Sequence, residues 1–158
     1  MAKDGRATGR SIFDVLLVLE AALFLILTRL ALFALPFRRI SPFLGVHLQT
    51  SSEQLSSLTE WCARRVGRGI HFAFLRLPWH STCLVQAIAA MMMLRRRGEA
   101  STLYIGVGRE NETFGAHAWL RSGQFIVTGG DEKDKFKVLS SFMQPGRRAS
   151  IPDSEADV

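Results

Sequence analysis

The sequence predicts an α+β fold in which N-terminal helices precede an antiparallel sheet. Within residues 11–97, three long stretches are apolar at helical spacing or on nearly every face. Residues 101–142 instead alternate β-branched and aromatic residues in short runs separated by glycine and polar segments. At 158 residues, 47% of them hydrophobic, the chain is long enough for one domain with a real core. The two ends, residues 1–10 and 144–158, lack such patterns, which predicts a flexible terminus and a disordered tail.

The first helical stretch is apolar on nearly every face and long enough to cross a bilayer. Asp14, Glu20 and Arg29 interrupt it, and three charges would be costly in hydrocarbon. We therefore favour a helix that docks on the rest of the protein or on a partner, and membrane contact is the alternative. Pro36 should end the helix, so residues 11–49 are interpreted as an apolar helical extension and a linker.

A second helix is predicted from the capping-box pattern of Thr50 and Glu53 to about Leu75. Apolar residues recur along it at helical spacing, and arginines mark the opposite face. Cys62 lies within the apolar stripe. We therefore interpret Cys62 as a core residue rather than as a reactive thiol.

A third helix is predicted from Cys83 to Arg97, because Ser81 and Thr82 offer hydroxyl caps and Gly98 would end it. Its residues are small or apolar nearly all round, as expected of a helix buried on most sides. Cys83 would stand at its N-terminus, where unpaired amides and the helix dipole stabilise a thiolate. The same amides could bind an oxyanion formed on an attacked carbonyl.

Four strands are predicted, at residues 101–109, 116–123, 124–130 and 137–142. His117 lies on the second strand between two alanines, 34 residues after Cys83 (117 minus 83). A histidine in this place can take the thiol proton of a cysteine nucleophile and later protonate the leaving amine. From the residues alone, a packed cysteine and a satisfied core histidine remain the alternatives.

The other histidines are weaker candidates. His80 precedes the third helix and has at most a secondary role, whereas His47 and His71 have no evident partner in the sequence. A second donor to the oxyanion stays open, with Trp79 and His80 as candidates.

Charge and cysteine usage narrow the class of protein. The net charge of +6 suits an acidic peptide or an anionic membrane surface. Nucleic acid is the weakest partner, because the chain has no recognition motif and a single tyrosine. The two cysteines have no metal-ligand spacing and no convincing secretory signal accompanies them. We therefore expect a cytoplasmic protein with reduced thiols that needs no metal or cofactor. The apolar N-terminal helix could attach this protein to a membrane.

Three short blocks carry a resemblance to a known family. They are Thr82-Cys83-Leu84 before an apolar helix, Leu103-Tyr104-Ile105-Gly106-Val107, and Ala116-His117-Ala118-Trp119-Leu120. Together they resemble the transglutaminase-like leader peptidases of lasso-peptide biosynthesis, and most closely the stand-alone peptidase half of the split maturation protein. The resemblance covers roughly residues 12–143. It implies a transglutaminase-like, papain-like core over residues 50–143, with a catalytic cysteine at a helix N-terminus against an antiparallel sheet.

The resemblance implies a cysteine protease that removes the leader from a ribosomally made precursor peptide, with Cys83 as nucleophile and His117 as general base and acid. It also implies two partners, a small leader-recognition protein and an ATP-dependent cyclase that closes the macrolactam ring. The sequence has no ATP-binding glycine loop, which fits this division of labour. A non-catalytic peptide-binding scaffold in the same complex, and acyl transfer to an amine, remain the alternatives.

The third catalytic residue is where the chain departs from the family pattern. Relatives with a full triad have an aspartate at the end of the strand after the histidine strand, where it orients the imidazole. By hairpin register that position falls near Thr128, which is not a carboxylate. Asp131 follows three residues later and is the candidate orienter. A dyad, in which a backbone or hydroxyl acceptor serves His117, is the alternative.

Overall fold

The structure is a computed structural model that describes residues 12–52, 57–79, 81–110 and 113–147. Its α-helices are α1 (Ile12–Ala34), α2 (Phe37–Ile40), α3 (Ser57–Phe74) and α4 (Cys83–Arg96). Its strands are β1 (Val46–His47), β2 (Ser101–Glu110), β3 (Thr113–Ser122), β4 (Phe125–Thr128) and β5 (Lys137–Gln144). This arrangement confirms the predicted α+β fold.

The five strands form one antiparallel sheet in the order β1-β5-β2-β3-β4. β2 and β3 pair from Thr102–Arg121 to Glu110–Thr113 without a register shift, which makes this hairpin the regular centre of the sheet. β4 is short and pairs only with the end of β3, from Leu120 to Ser122. β1 was not predicted, because two residues are too few to show an alternating pattern.

α4 is the central helix, as predicted. It packs against α1 and α3 and against the strands β2, β3 and β4. Most of its side chains are buried, and they share one core cluster with Leu103, Ala118 and Leu120 of the sheet. The small residues of α4, including Ala89 and Ala90, have no exposed surface at all, which lets the helix approach its neighbours closely.

α1 docks on the same core by one face, through Ala21 and Leu25, and contacts α3 and α4. Glu20, which interrupts the apolar stretch, forms ion pairs with Arg96 at 3.0 Å and Arg97 at 2.6 Å. α1 ends at Ala34, ahead of the proline that was predicted to end it. Within the described residues, α1 is the helix long and apolar enough to cross a membrane by length and composition.

Two predicted boundaries shift. The capping box of Thr50 and Glu53 lies partly outside the described residues, and α3 is described from Ser57. At the C-terminal end of the described chain, β5 runs to the buried Gln144. The Arg147 N–H then donates a hydrogen bond to Gly98 O at 2.9 Å. Backbone hydrogen bonds hold residues 144–147 although they have no apolar period, so the prediction that the disordered tail begins at Gln144 is wrong for these four residues. Residues 148–158 lie outside the described residues.

Candidate active site

Cys83 is the first residue of α4. The Thr82 side chain caps the helix by accepting a hydrogen bond from the Val85 N–H at 3.4 Å. The Cys83 side chain is half-buried and packs against the core cluster on the helix side of the sheet. A helix start stabilises a thiolate through the dipole and unpaired amides. Cys83 thus stands at a capped helix N-terminus, as predicted, and its role as a nucleophile stays a prediction.

The imidazole of His117 is oriented by a backbone carbonyl. His117 lies on β3 opposite Gly106 of β2, and its Nε2 is 2.9 Å from Gly129 O. Because a carbonyl oxygen only accepts, Nε2 carries the proton and donates it. In the neutral ring, Nδ1 then holds the free lone pair and is the atom that can take a proton. This contact matches the dyad alternative, in which a backbone acceptor serves His117.

Two aromatic rings lie next to the imidazole. The His117 ring centroid is 6.0 Å from that of Trp119 and 5.1 Å from that of Phe136. Tyr104 stacks on the far side of Trp119 at 5.5 Å, which extends the row of rings along β2 and β3. Gly106 leaves room for this row, since a Cβ there would lie 2.9 Å from the Trp119 ring and 3.0 Å from Phe136 Cβ.

Gly129 is the site residue that the sequence did not predict. Its φ of +73° is in the left-handed region, and a Cβ would come within 2.5 Å of Ala118 O. Only glycine therefore fits where the chain passes close to β3 and presents its carbonyl to His117. The Gly129-Gly130 pair signals a turn in the sequence, but its role as an acceptor depends on how the turn folds back on β3.

Asp131 is exposed, and within the described residues no hydrogen bond or ion pair reaches its carboxylate. Thr128 pairs with Leu120, and its Oγ1 is buried without a hydrogen-bond partner in the described part of the chain. The acceptor that His117 has is therefore neither of these two side chains. Asp131 as the orienter of His117 stays a prediction.

Cys83 and His117 belong to opposite faces of the sheet. Ala118 and Leu120 of β3 lie in the helix-side core against which Cys83 packs. Side chains alternate along a strand, so His117 and Trp119 point to the other face. Trp119 is accordingly buried but outside that core cluster. Among the described residues, no hydrogen bond joins Cys83 to His117, and their action as a pair stays a prediction.

Two buried polar atoms just before Cys83 lack hydrogen-bond partners in the described part of the chain. They are Trp79 Nε1 and Ser81 Oγ. A buried donor without a partner costs about 1–3 kcal/mol, so a ligand group that paired with either atom would be favoured. Trp79 stays a candidate for the second oxyanion donor. The other candidate, His80, lies outside the described residues.

The remaining histidines have structural contacts. His47 Nε2 is 2.6 Å from Ser140 Oγ, and its ring lies 5.0 Å from that of Phe142. His71 is exposed and meets Phe72 edge-on at 6.0 Å. No group of three or more His, Cys, Asp or Glu side chains suited to a metal ion occurs among the residues that the structure describes.

The comparison with protein families identifies a relationship that covers most of the chain. A family model described as the transglutaminase-like superfamily matches residues 24–141. No curated protein and no solved structure matches the chain. The matched range contains α4 with Cys83, β3 with His117 and the Gly129 turn, and it begins within α1.

Proposed function

Because the chain belongs to the transglutaminase-like superfamily, we propose that it is a cysteine peptidase that removes the leader peptide from a lasso-peptide precursor. The superfamily includes cysteine peptidases and transglutaminases. The observation that carries the proposal is a cysteine at the capped N-terminus of a helix packed on the histidine strand. The narrower assignment is supported by the three sequence blocks around Cys83, Gly106 and His117.

In the proposed reaction, His117 Nδ1 takes the Cys83 thiol proton and the thiolate attacks the scissile carbonyl carbon. The C–N bond breaks as the imidazolium gives its proton to the leaving amine. Water, deprotonated by His117, then attacks the thioester, which releases the leader carboxylate and regenerates the thiol. Throughout, Gly129 O holds the Nε2 proton, so the same ring nitrogen stays available for proton transfer.

The reaction requires Cys83 Sγ and His117 Nδ1 to meet, so the proposal includes their assembly when the precursor binds. The sheet pairing supports access to His117 from this edge, because β4 pairs with Leu120–Ser122 and no strand of the described residues pairs with the His117 part of β3 on that side. The proposal assigns the adjustment to the start of α4, where the buried Trp79 Nε1 and Ser81 Oγ lack partners within the described residues. Moving β3 would break the regular β2–β3 ladder.

The proposal includes two partners, a small leader-recognition protein and an ATP-dependent lasso cyclase. Leader removal needs no ATP, and the sequence carries no ATP-binding glycine loop. The proposal sets the reaction in the cytoplasm, a reducing compartment in which a thiol such as that of Cys83 stays available as a nucleophile.

A second candidate function is a non-catalytic scaffold that binds the precursor in the same maturation complex. The specific observation in its favour is that no hydrogen bond joins Cys83 to His117 among the described residues. A scaffold would need neither the thiol nor the imidazole.

The test is to mix the purified protein with precursor and leader-recognition protein, without ATP, and to detect free leader by mass spectrometry. We expect free leader with the native chain and with Cys62→Ala, and none with a folded Cys83→Ala variant. Intact precursor in a sample where all three components associate would favour the scaffold. Cleavage retained by Cys83→Ala would refute the peptidase proposal.

A further inference from the structure

One face of α1 is an apolar stripe that the rest of the described protein does not cover. The stripe consists of Ile12, Leu16, Leu19, Leu23, Leu27 and Leu30, each at least 50% exposed. These residues recur at intervals of three or four, so they form one line about 27 Å long. Phe33, near its C-terminal end, is 91% exposed. Single exposed apolar residues are ordinary, whereas a continuous line of them marks an interaction surface.

The two acidic residues of α1 pair with arginines of the neighbouring helical region. Asp14 pairs with Arg65 of α3 at 3.3 Å, and Glu20 pairs with Arg96 and Arg97 beside α4. The face opposite the stripe is buried through Ala21, Leu25 and Thr28. A membrane-spanning α1 would lose this packing and these ion pairs. The fold therefore suits a helix that lies along a surface rather than one that crosses it.

Arginines flank the stripe on two sides. On one side, Val15 and Leu19 share a groove with Arg68, Arg76 and the exposed Phe72 of α3 and the turn after it. At the C-terminal end, Arg38 and Arg39 of α2 are exposed. An apolar line bordered by guanidinium groups complements acyl chains bordered by phosphates. An apolar partner helix would need the line but not the arginines.

We propose that α1 lies in the surface of an anionic lipid bilayer, with the stripe at the acyl boundary and the flanking arginines at the phosphates. The net charge of +6 adds long-range attraction to such a surface. This proposal does not rest on the peptidase proposal, because its readout is binding and not cleavage.

The experiment is co-sedimentation of the full-length protein with vesicles of phosphatidylcholine alone or mixed with phosphatidylglycerol. We expect binding to the mixed vesicles that weakens as salt is raised, since the arginine contribution is screened. Replacing Leu19, Leu23 and Leu27 together by glutamine should lower the partition coefficient by about 100-fold or more, because each buried leucine contributes strongly. Arg68→Gln with Arg76→Gln should lower it about fivefold per arginine.

The matched control is Val138→Gln with Leu139→Gln, two exposed residues of β5 that are 49% and 65% exposed and far from α1 in the sequence. This pair should bind like the native chain, and circular dichroism should show all variants folded.

Equal binding to neutral and mixed vesicles, or no binding by a monodisperse protein, would overturn the proposal. A dimer in light scattering that the triple leucine variant abolishes would assign the stripe to a second copy instead. Retention on the vesicles through an alkaline carbonate wash would indicate a spanning helix and also overturn it.

Discussion

The two faces of the sheet differ in the residues they carry and in the elements that pack on them. The helix side is made of small and apolar residues that pack under α4, and it bears the one thiol at a helix start among the described residues. The other side carries stacked rings and polar contacts, with Tyr104 on Trp119 and His117 between Trp119 and Phe136. His117 and the residues of the helix-side core therefore come from alternate positions of β3. Successive side chains of a strand point to opposite faces, so a difference of one residue in position decides which face of the sheet a side chain occupies.

The polar face is also held by the segment before α3. Ser51 N–H donates to Thr102 Oγ1 at 2.8 Å, and Arg121 donates to Ser51 O at 2.9 Å. Arg121 further donates to Tyr104 Oη at 3.1 Å. The sheet face that bears His117 is therefore partly covered by the segment before α3 and is held to it by hydrogen bonds. Substitutions on each face separate the roles of the two halves.

The largest expected effect is loss of the nucleophile on the helix side. Cys83→Ala should lower kcat/KM for precursor cleavage by about 10⁴-fold or more, because no other group takes over covalent attack. Cys62→Ala, which removes the thiol of α3, should keep the rate within about twofold of the native chain. Rates come from leader release followed by mass spectrometry. A comparable loss in both variants would show that the thiols act through folding.

The next effect comes from the base on the other face. His117→Ala should lower kcat/KM by about 10²–10⁴-fold, the usual contribution of a general acid–base group. His71→Ala is the matched control, because His71 is exposed on α3 and should leave the rate unchanged. If His117→Ala cleaved as fast as the control, the imidazole would have a packing role between its two rings.

A smaller effect is expected at the carbonyl that orients the imidazole. Gly129→Ala should lower kcat by about 10–100-fold, since a Cβ in a left-handed conformation clashes with β3 and displaces the carbonyl. Gly130→Ala is the control, because its Cβ would meet only the Ile126 side chain, at 3.1 Å. Nitrogen NMR of His117 distinguishes orientation from folding. We expect Nε2 to carry the proton in the native chain and this preference to weaken in Gly129→Ala but not in Gly130→Ala.

The smallest expected effect is at the exposed carboxylate. Asp131→Asn should keep kcat/KM within about threefold of the native chain, because its side chain lies in solvent and the imidazole already has an acceptor. Asp134→Asn, another exposed aspartate of the same loop, is the control. A loss of about 100-fold or more confined to Asp131→Asn would make this residue the orienter, as in a full triad.

The sequence predicted those features that depend on local signals. The start of α4 at Cys83 follows from the Thr82 cap, and the burial of α4 follows from its small and apolar residues. The strands are visible in their alternation, and the apolar pair Ala118 and Leu120 already marks one face of β3. What the sequence could not give is long-range register, because pairing between distant residues decides which face the helices cover.

Contacts between residues far apart in the sequence could not be predicted from local sequence patterns, for the same reason. His47 meets Ser140 across 93 residues of sequence, and the strand that brings them together has two residues. Gly129 reaches His117 only because its turn folds back on β3. A glycine pair in the sequence predicts a turn, but not the direction in which its carbonyl points.

The central claim is that Cys83 and His117 form one site when the precursor is bound. The direct test is oxidative trapping in a chain carrying Cys62→Ala and His117→Cys, which cannot cleave its precursor. A disulfide requires Cα atoms within about 7 Å, so it reports approach of positions 83 and 117. We predict that the disulfide forms in the presence of precursor and leader-recognition protein and not in the free protein. If no disulfide forms while the precursor is demonstrably bound, the two residues do not share a site and the peptidase account is contradicted.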